Sequence, residues 1–223
     1  MDDRLIRRLS NNFVNLYLIA DPDGLTLIDT GMAKSGPKLV LKAIAEQGWQ
    51  PTDLKRILIT HADPGHAGGL AELRAKTGAK IFAGEIEARA IEAGIPSRAI
   101  KGNPLTKAMI DMMGRVVMPL TPVHVDEIIM HGQVLPVLDG LQVIATPGHT
   151  PGHMSYYAPA HRILIAGDSL NASSGALTFS PAPLHWDYAQ GCESARLQAA
   201  LGATCVCCGH GHVVEGAQIA FAV

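Results

Sequence analysis

The sequence predicts an α/β chain in which two sheets pack face to face with helices on the outside. Three observations carry that prediction. Strands and helices follow one another in two successive blocks, each running from strands to helix. Short, wholly apolar strands such as Arg56–Thr60 (RILIT) have the composition of strands covered on both faces. Hydrophobic residues make up 48% of 223 residues, which suffices for a sizeable core.

In the first block, Asn12–Ala20 is a β-rich run, Asp21-Pro22-Asp23-Gly24 a turn, and Leu25–Ile28 a second strand, together a hairpin. Pro37–Gln47 places Leu39, Leu41, Ile44 and Ala45 at helical spacing and stops at Gly48. After the strand Arg56–Thr60 comes a helix from about Ala67 to Lys76, ended by Gly78. A strand, Lys80–Ala83, and a helix, Glu85–Glu92, complete the block.

The segment Gly94–His131 is rich in Pro, Met and Ile without a clean period. It reads as a helical insert near 94–131, with Thr106–Met113 as one helix. Its methionines, Met109, Met112, Met113 and Met118, suit a pocket wall, a plain connecting helix or a homodimer contact alike. The second block runs through strands at Val134–Leu138, Leu141–Thr146, Met154–Tyr157 and Arg162–Ala166, with a hairpin turn at Asp139-Gly140. A helix, Ser194–Leu201, and a last strand, Cys205–Cys208, follow. No repeat or low-complexity linker interrupts the sequence, so 1–223 reads as one domain.

Charge and patterning exclude several function classes. Net charge is −2, charged residues are 17%, and no Lys/Arg run is present, which argues against a nucleic-acid partner. No apolar stretch is long enough to span a bilayer. Met1-Asp2-Asp3-Arg4 lacks the layout of a secretory signal, so the expected location is the cytoplasm. The cysteines, Cys192, Cys205, Cys207 and Cys208, are not spaced as a disulfide framework. Three of them sit in a run that reads as a buried strand, where Cys acts as a small hydrophobe. Cys208 stays in view because His210 follows so closely.

Chemistry gathers at the strand ends. Asp29 follows Leu25–Ile28; His61, Asp63 and His66 follow Arg56–Thr60; His149 follows Leu141–Thr146; Asp168 follows Arg162–Ala166; His210 follows Cys205–Cys208. Short strands deliver such side chains to one rim, and neighbouring glycines let the backbone come close. Neutral imidazole and carboxylate together suit Zn²⁺ or Fe²⁺.

These residues, with Asp29-Thr30-Gly31, Gly68-Gly69, the string from Thr146 to His153 and Gly167-Asp168, resemble the metallo-β-lactamase superfamily from about Asn12 to Val214. The resemblance implies a four-layer αββα sandwich and a site of His61, Asp63, His66, His149, Asp168 and His210. The superfamily signature is H-x-H-x-D-H. Here it reads His61-Ala62-Asp63-Pro64-Gly65-His66, so a carboxylate replaces the second imidazole and a glycine replaces the metal-binding Asp. By carry-over a first ion takes His61, Asp63 and His149, Asp168 bridges, and a second ion has only His66 and His210 beside Asp168. That second site is expected to be weaker. Asp63 and Asp168 are the expected catalytic carboxylates. Asp29 and His153 are expected to support the ligands from behind, and His212 to do so or to lie at the surface. His66 can also cap the helix beginning near Ala67, where the helix dipole favours a neutral ring. His124, His131, His161 and His185 have no motif context.

The resemblance implies a hydrolase that uses metal-activated water on the carbonyl of a small-molecule ester, thioester, lactone or amide. Zinc is the expected cofactor, as one or two ions; the extra carboxylate also suits iron or manganese. An iron-dependent redox enzyme similar to the persulfide dioxygenases, or a weakly active member, are the alternatives. The sequence ends 13 residues after His210, so neither the C-terminal helical domain of glyoxalase II enzymes nor a flavodoxin domain is expected. Pocket walls are expected from Gly94–His131 and Asn171–Tyr188, neither of which carries a charged cluster demanding an anion.

Overall fold

The computed structural model describes residues 5–10, 13–98, 119–174, 176–178 and 185–216. A first sheet holds six strands in sequential order: β1 (Ile6–Ser10), β2 (Asn15–Asp21), β3 (Gly24–Ile28), β4 (Leu54–Leu58), β5 (Lys80–Gly84) and β6 (Glu127–Ile129). The β1–β2 and β2–β3 pairs are antiparallel; β3 to β6 run parallel. The parallel part needs crossovers. Two are helical: α1 (Ser35–Glu46) joins β3 to β4, and α2 (Pro64–Ala67) with α3 (Leu70–Thr77) joins β4 to β5. Helix α4 (Glu85–Ala93) follows β5.

The second sheet has the order β12-β11-β10-β9-β8-β7. Its strands are β7 (Val134–Leu135), β8 (Leu141–Ala145), β9 (Met154–Ala158), β10 (Ile163–Gly167), β11 (Cys205–Cys208) and β12 (Val214–Glu215). Only β10 and β11 pair in parallel, across helix α5 (Tyr188–Ala199).

Strand alternation sorts the apolar residues into three cores. Leu16 and Leu18 of β2 pack with Val40 and Ile44 of α1, Leu73 of α3 and Ile91 of α4. Between them, Tyr17 and Ile19 turn to the other face and meet Val143, Tyr156, Ile163 and Ile165 of the second sheet. Leu164, Ala166 and Val206 face away from the first sheet and pack with Ala195 of α5. Helix, sheet, sheet and helix therefore stack as the expected αββα sandwich. Burying each Leu or Ile completely contributes about 1.5–3 kcal/mol.

The cysteine strand is buried along its whole length. Cys205 and Cys207 face the inter-sheet core and Cys208 the core under α5.

Several details differ from the sequence reading. Strand β1 has no counterpart in it, because Arg7 and Arg8 interrupt the apolar pattern. The helix expected from Ala67 to Lys76 is two, α2 and α3, broken at Gly68-Gly69. His66 does not cap a helix: it is the third residue of α2, whose N-cap position is Asp63. Helix α5 starts earlier than expected, at Tyr188, where the Asp187 side chain accepts from the Gln190 N–H at 3.1 Å. Within Gly94–His131 the described residues include strand β6. The helix proposed at Thr106–Met113, with Met109, Met112, Met113 and Met118, lies outside the described residues. Among the described residues no helix is long and apolar enough to cross a membrane.

Candidate metal centre

The site lies across the seam between the sheets. The first sheet brings Asp29 from the end of β3 and His61, Asp63 and His66 from the segment after β4. The second brings His149, Asp168 and His210 from beyond β8, β10 and β11. Two buried tyrosines fasten the seam in opposite directions. Tyr17 of the first sheet donates its hydroxyl to the Cys208 carbonyl at 2.6 Å, just before His210. Tyr156 of the second donates to the Ile59 carbonyl at 2.7 Å, just before His61. Burial raises both phenol pKa values well above normal, so both remain donors.

Asp29 organises the first-sheet ligands. It occupies the left-handed region (φ 61°), which Asp tolerates better than most residues. Its Oδ1 accepts from the Thr60 N–H at 2.9 Å, and its Oδ2 from the Thr60 hydroxyl and His66 Nδ1, each at 2.8 Å. Thr60 thus spends its single proton on Asp29. Its oxygen, 2.9 Å from His61 Nδ1, must then accept from that ring. The Nδ1 atoms of both imidazoles are consequently donors, and Nε2 of His61 is left with a lone pair facing the site.

The second-sheet ligands are held in the same manner. His210 Nδ1 donates to the Phe13 carbonyl at 2.5 Å, and its Nε2 lies 3.1 Å from Asp168 Oδ2. His153 is fully buried. Its Nδ1 lies 2.8 Å from the Thr146 hydroxyl, and its Nε2 accepts from the Asp168 N–H at 3.1 Å. Burial and the neighbouring His149 push its pKa down to about 3, so His153 is a neutral support beneath Asp168. His212 is exposed.

Among the described residues, two three-residue groups have ligand atoms within 4.8 Å of one another: His61, Asp63 and His149, and His61, His66 and Asp168. The first is the trio expected for the first ion. The second contains His61 where His210 was expected, and His210 meets the site through Asp168 and an edge contact with His66, ring centroids 5.7 Å apart. Asp168 sits centrally, 3.4 Å from His66 Nε2 and 3.6 Å from His149 Nε2. Gly209 beside it has no alternative: a Cβ there would collide with Asp168 Oδ1 and His66 Cε1. Gly65 differs, since a Cβ there would make only an ordinary 3.5 Å contact with Val14. Neither group contains a cysteine.

Burial opposes an ionised Asp168, but His66 and His210 outweigh it and hold its carboxyl well below the usual range. Burial, with His66 and His149 adding to it, pushes His61 well below its normal pKa. Burial also opposes a charged His66, yet the carboxylates of Asp168 and Asp29 raise its pKa well above normal. The neutral ring expected from the helix dipole is therefore not what these carboxylates favour. A site that draws positive charge to itself suits a cation.

His61 Nε2, His66 Nε2 and Asp168 Oδ1 are buried without a hydrogen-bond partner among the described residues. Unpaired buried polar atoms are rare, and these three belong to one candidate ligand group. Two imidazole nitrogens and a carboxylate oxygen are the donors a divalent transition metal takes.

Three residues without a sequence signal complete the site. Arg98 donates to Asp63 Oδ2 at 2.5 Å. Burial opposes ionisation of Asp63, but the His149 hydrogen bond and the Arg98 charge hold its pKa below normal. His185 is buried with its ring centroid 6.1 Å from that of His149. Glu87 of α4 is wholly buried behind the ligand loops.

Comparison with known proteins agrees with this geometry. The family model described as the metallo-beta-lactamase superfamily matches residues 10–210. The chain belongs to this superfamily. It is 30% identical over 213 residues to a hydroxyacylglutathione hydrolase of Cereibacter sphaeroides, covering 95% of this chain and 67% of that protein. It is also 30% identical over 177 residues to the probable metallo-hydrolase YflN of Bacillus subtilis, with 74% of this chain and 64% of that protein covered. The chain thus spans about two thirds of the length of these relatives. Among solved structures, a metallo-beta-lactamase family protein from Thermus thermophilus superposes with a TM-score of 0.71 at 23% identity, over 94% of this chain and 74% of that one. A Cronobacter sakazakii metallo-beta-lactamase with a HARLDQ motif gives 0.66 at 24%, over 92% and 74%. These superfamily structures share the fold with this chain.

Proposed function

We propose that this chain is a metal-dependent hydrolase acting on the carbonyl of a small-molecule ester, thioester, lactone or amide. The observation that carries this reading is the trio of buried, unpartnered atoms, His61 Nε2, His66 Nε2 and Asp168 Oδ1, at the seam. The hydroxyacylglutathione hydrolases among the relatives make thioesters the first class to test. The relatives' names give no support to an iron redox reaction, and that alternative is not retained.

In this reading His61, Asp63 and His149 hold one ion, and Asp168 with His66 and His210 serves a second position. When bound, zinc or a similar ion supplies Lewis acidity, polarising a carbonyl and acidifying water at neutral pH. The chain's own residues do the rest. Asp29 and Thr60 fix the tautomer of His61 and orient His66. His153 orients Asp168 through its backbone N–H. Asp168 Oδ1, 3.4 Å from His66 Nε2, is placed to orient an attacking water by accepting a hydrogen bond from it. Arg98 tempers the charge that Asp63 brings in place of an imidazole. Zinc stays the first candidate because two imidazoles accompany the one carboxylate in the His61–Asp63–His149 group.

The test is metal quantification of protein purified without added metal, followed by kcat/KM on esters, thioesters, lactones and a β-lactam. Bound zinc and turnover of one carbonyl class, lost on chelation and restored by zinc, are expected. Protein that neither retains nor takes up metal would refute the reading.

A further inference from the structure

Glu87 carries its carboxyl group into a position with no solvent exposure, and burial raises its pKa. Such burial is costly unless the charge is fully hydrogen-bonded. Its Oε2 accepts from the Ala62 N–H at 2.7 Å. Its Oε1 accepts from the Thr150 hydroxyl at 2.8 Å and the Gly152 N–H at 3.0 Å. Ala62 lies between His61 and Asp63, and Thr150 directly follows His149. One carboxylate thus grips both loops that build the His61–Asp63–His149 group, one loop from each sheet. A buried acid used only to stabilise α4 has no reason to bond to these loops.

We infer that Glu87 is a positioning residue for the metal centre: it sets the spacing between the His61/Asp63 loop and the His149 loop, and so the fit of the ion between them. The inference rests on the metal-site reading above. An amide cannot take over this role. Glutamine keeps one oxygen, and its NH₂ must face N–H or O–H donors on one of the two loops, pushing that loop away. Outer partners of metal ligands change affinity by about 10–100-fold when lost.

The test is titration of metal-free protein with Zn²⁺ against a chelating dye, together with the visible absorption of the Co²⁺ form. For Glu87→Gln we expect zinc affinity about 10–100-fold weaker and a Co²⁺ spectrum altered in position or intensity. Thr150→Ala removes one donor and leaves the carboxylate, and should weaken zinc severalfold in the same direction. Thr150→Ala decides alone if Glu87→Gln does not fold. A Glu87→Gln protein that only melts earlier, with zinc affinity and Co²⁺ spectrum as in the wild type, would overturn the role of Glu87. So would unchanged affinity in Thr150→Ala where it decides alone. Wild-type protein that binds no zinc would overturn this inference and the hydrolase reading together.

Discussion

The two sides of the candidate metal centre depart from the superfamily motif by one residue each, and the surroundings meet the two departures differently. On the His149 side, Asp63 stands in place of an imidazole, with Arg98 against its charge and Glu87 behind both loops. On the His210 side, Gly65 stands in place of a carboxylate, and a Cβ there would make only an ordinary contact with Val14. A substituted ligand with the wrong charge disturbs its neighbours and calls for a partner. A deleted ligand leaves the fold undisturbed and shows only in how firmly an ion is held.

The largest effect expected from this contrast belongs to Asp168, which faces both sides. Asp168→Ala should lower metal content and cut kcat/KM by well over about 100-fold, beyond what an outer-partner change produces. Near-normal turnover in this variant would leave the two sides independent.

On the His149 side, Asp63→Ala should strip metal and activity together. Arg98→Met is the sharper probe. It leaves Asp63 in place with its charge untempered, so zinc affinity should hold or rise while kcat falls about tenfold, the low end of outer-partner effects. Calorimetric titration beside steady-state kinetics separates the two. Weaker zinc binding would mean that Arg98 aims Asp63 rather than offsetting its charge.

On the His210 side, Gly65→Asp should raise metal content toward two ions per chain and increase turnover. A Cβ fits at this position, so the variant meets no backbone clash. Two equally tight ions in the wild type, with no gain in the variant, would erase the contrast.

The smallest effect is reserved for Cys208. Its thiol faces the core under α5, and burial raises its pKa. Cys208→Ala should leave metal content unchanged and cost about 1 kcal/mol in denaturant unfolding, as loss of one buried group does. Loss of metal would make Cys208 the missing ligand on the Gly65 side.

Much of this architecture is legible in the sequence because the informative residues sit at strand ends. Apolar runs such as Arg56–Thr60 and Arg162–Ala166 mark the strands, and the His and Asp after them mark the rim where the structure gathers them. What stays hidden depends on contacts between distant segments. Glu87 follows Glu85 and Ile86 in a helix pattern typical of a solvated face, and nothing local shows that it is buried. Arg98 is 35 positions from the Asp63 it meets. Arg7 and Arg8 disguise β1, which is recognisable only through its pairing with β2. The break between α2 and α3 is visible as Gly68-Gly69 but is outweighed by the helical spacing on either side.

The crossed tyrosines bear on how this site can change over generations. Tyr17 and Tyr156 donate to carbonyls at the ends of strands, one step before the loops that carry the candidate ligands. The frame therefore rests on contacts separate from those that orient the candidate ligands. A histidine can become an aspartate, or an aspartate a glycine, while the loops still start from the same two fixed points. A new ligand still alters the charge its neighbours must meet, but it leaves both fixed points in place.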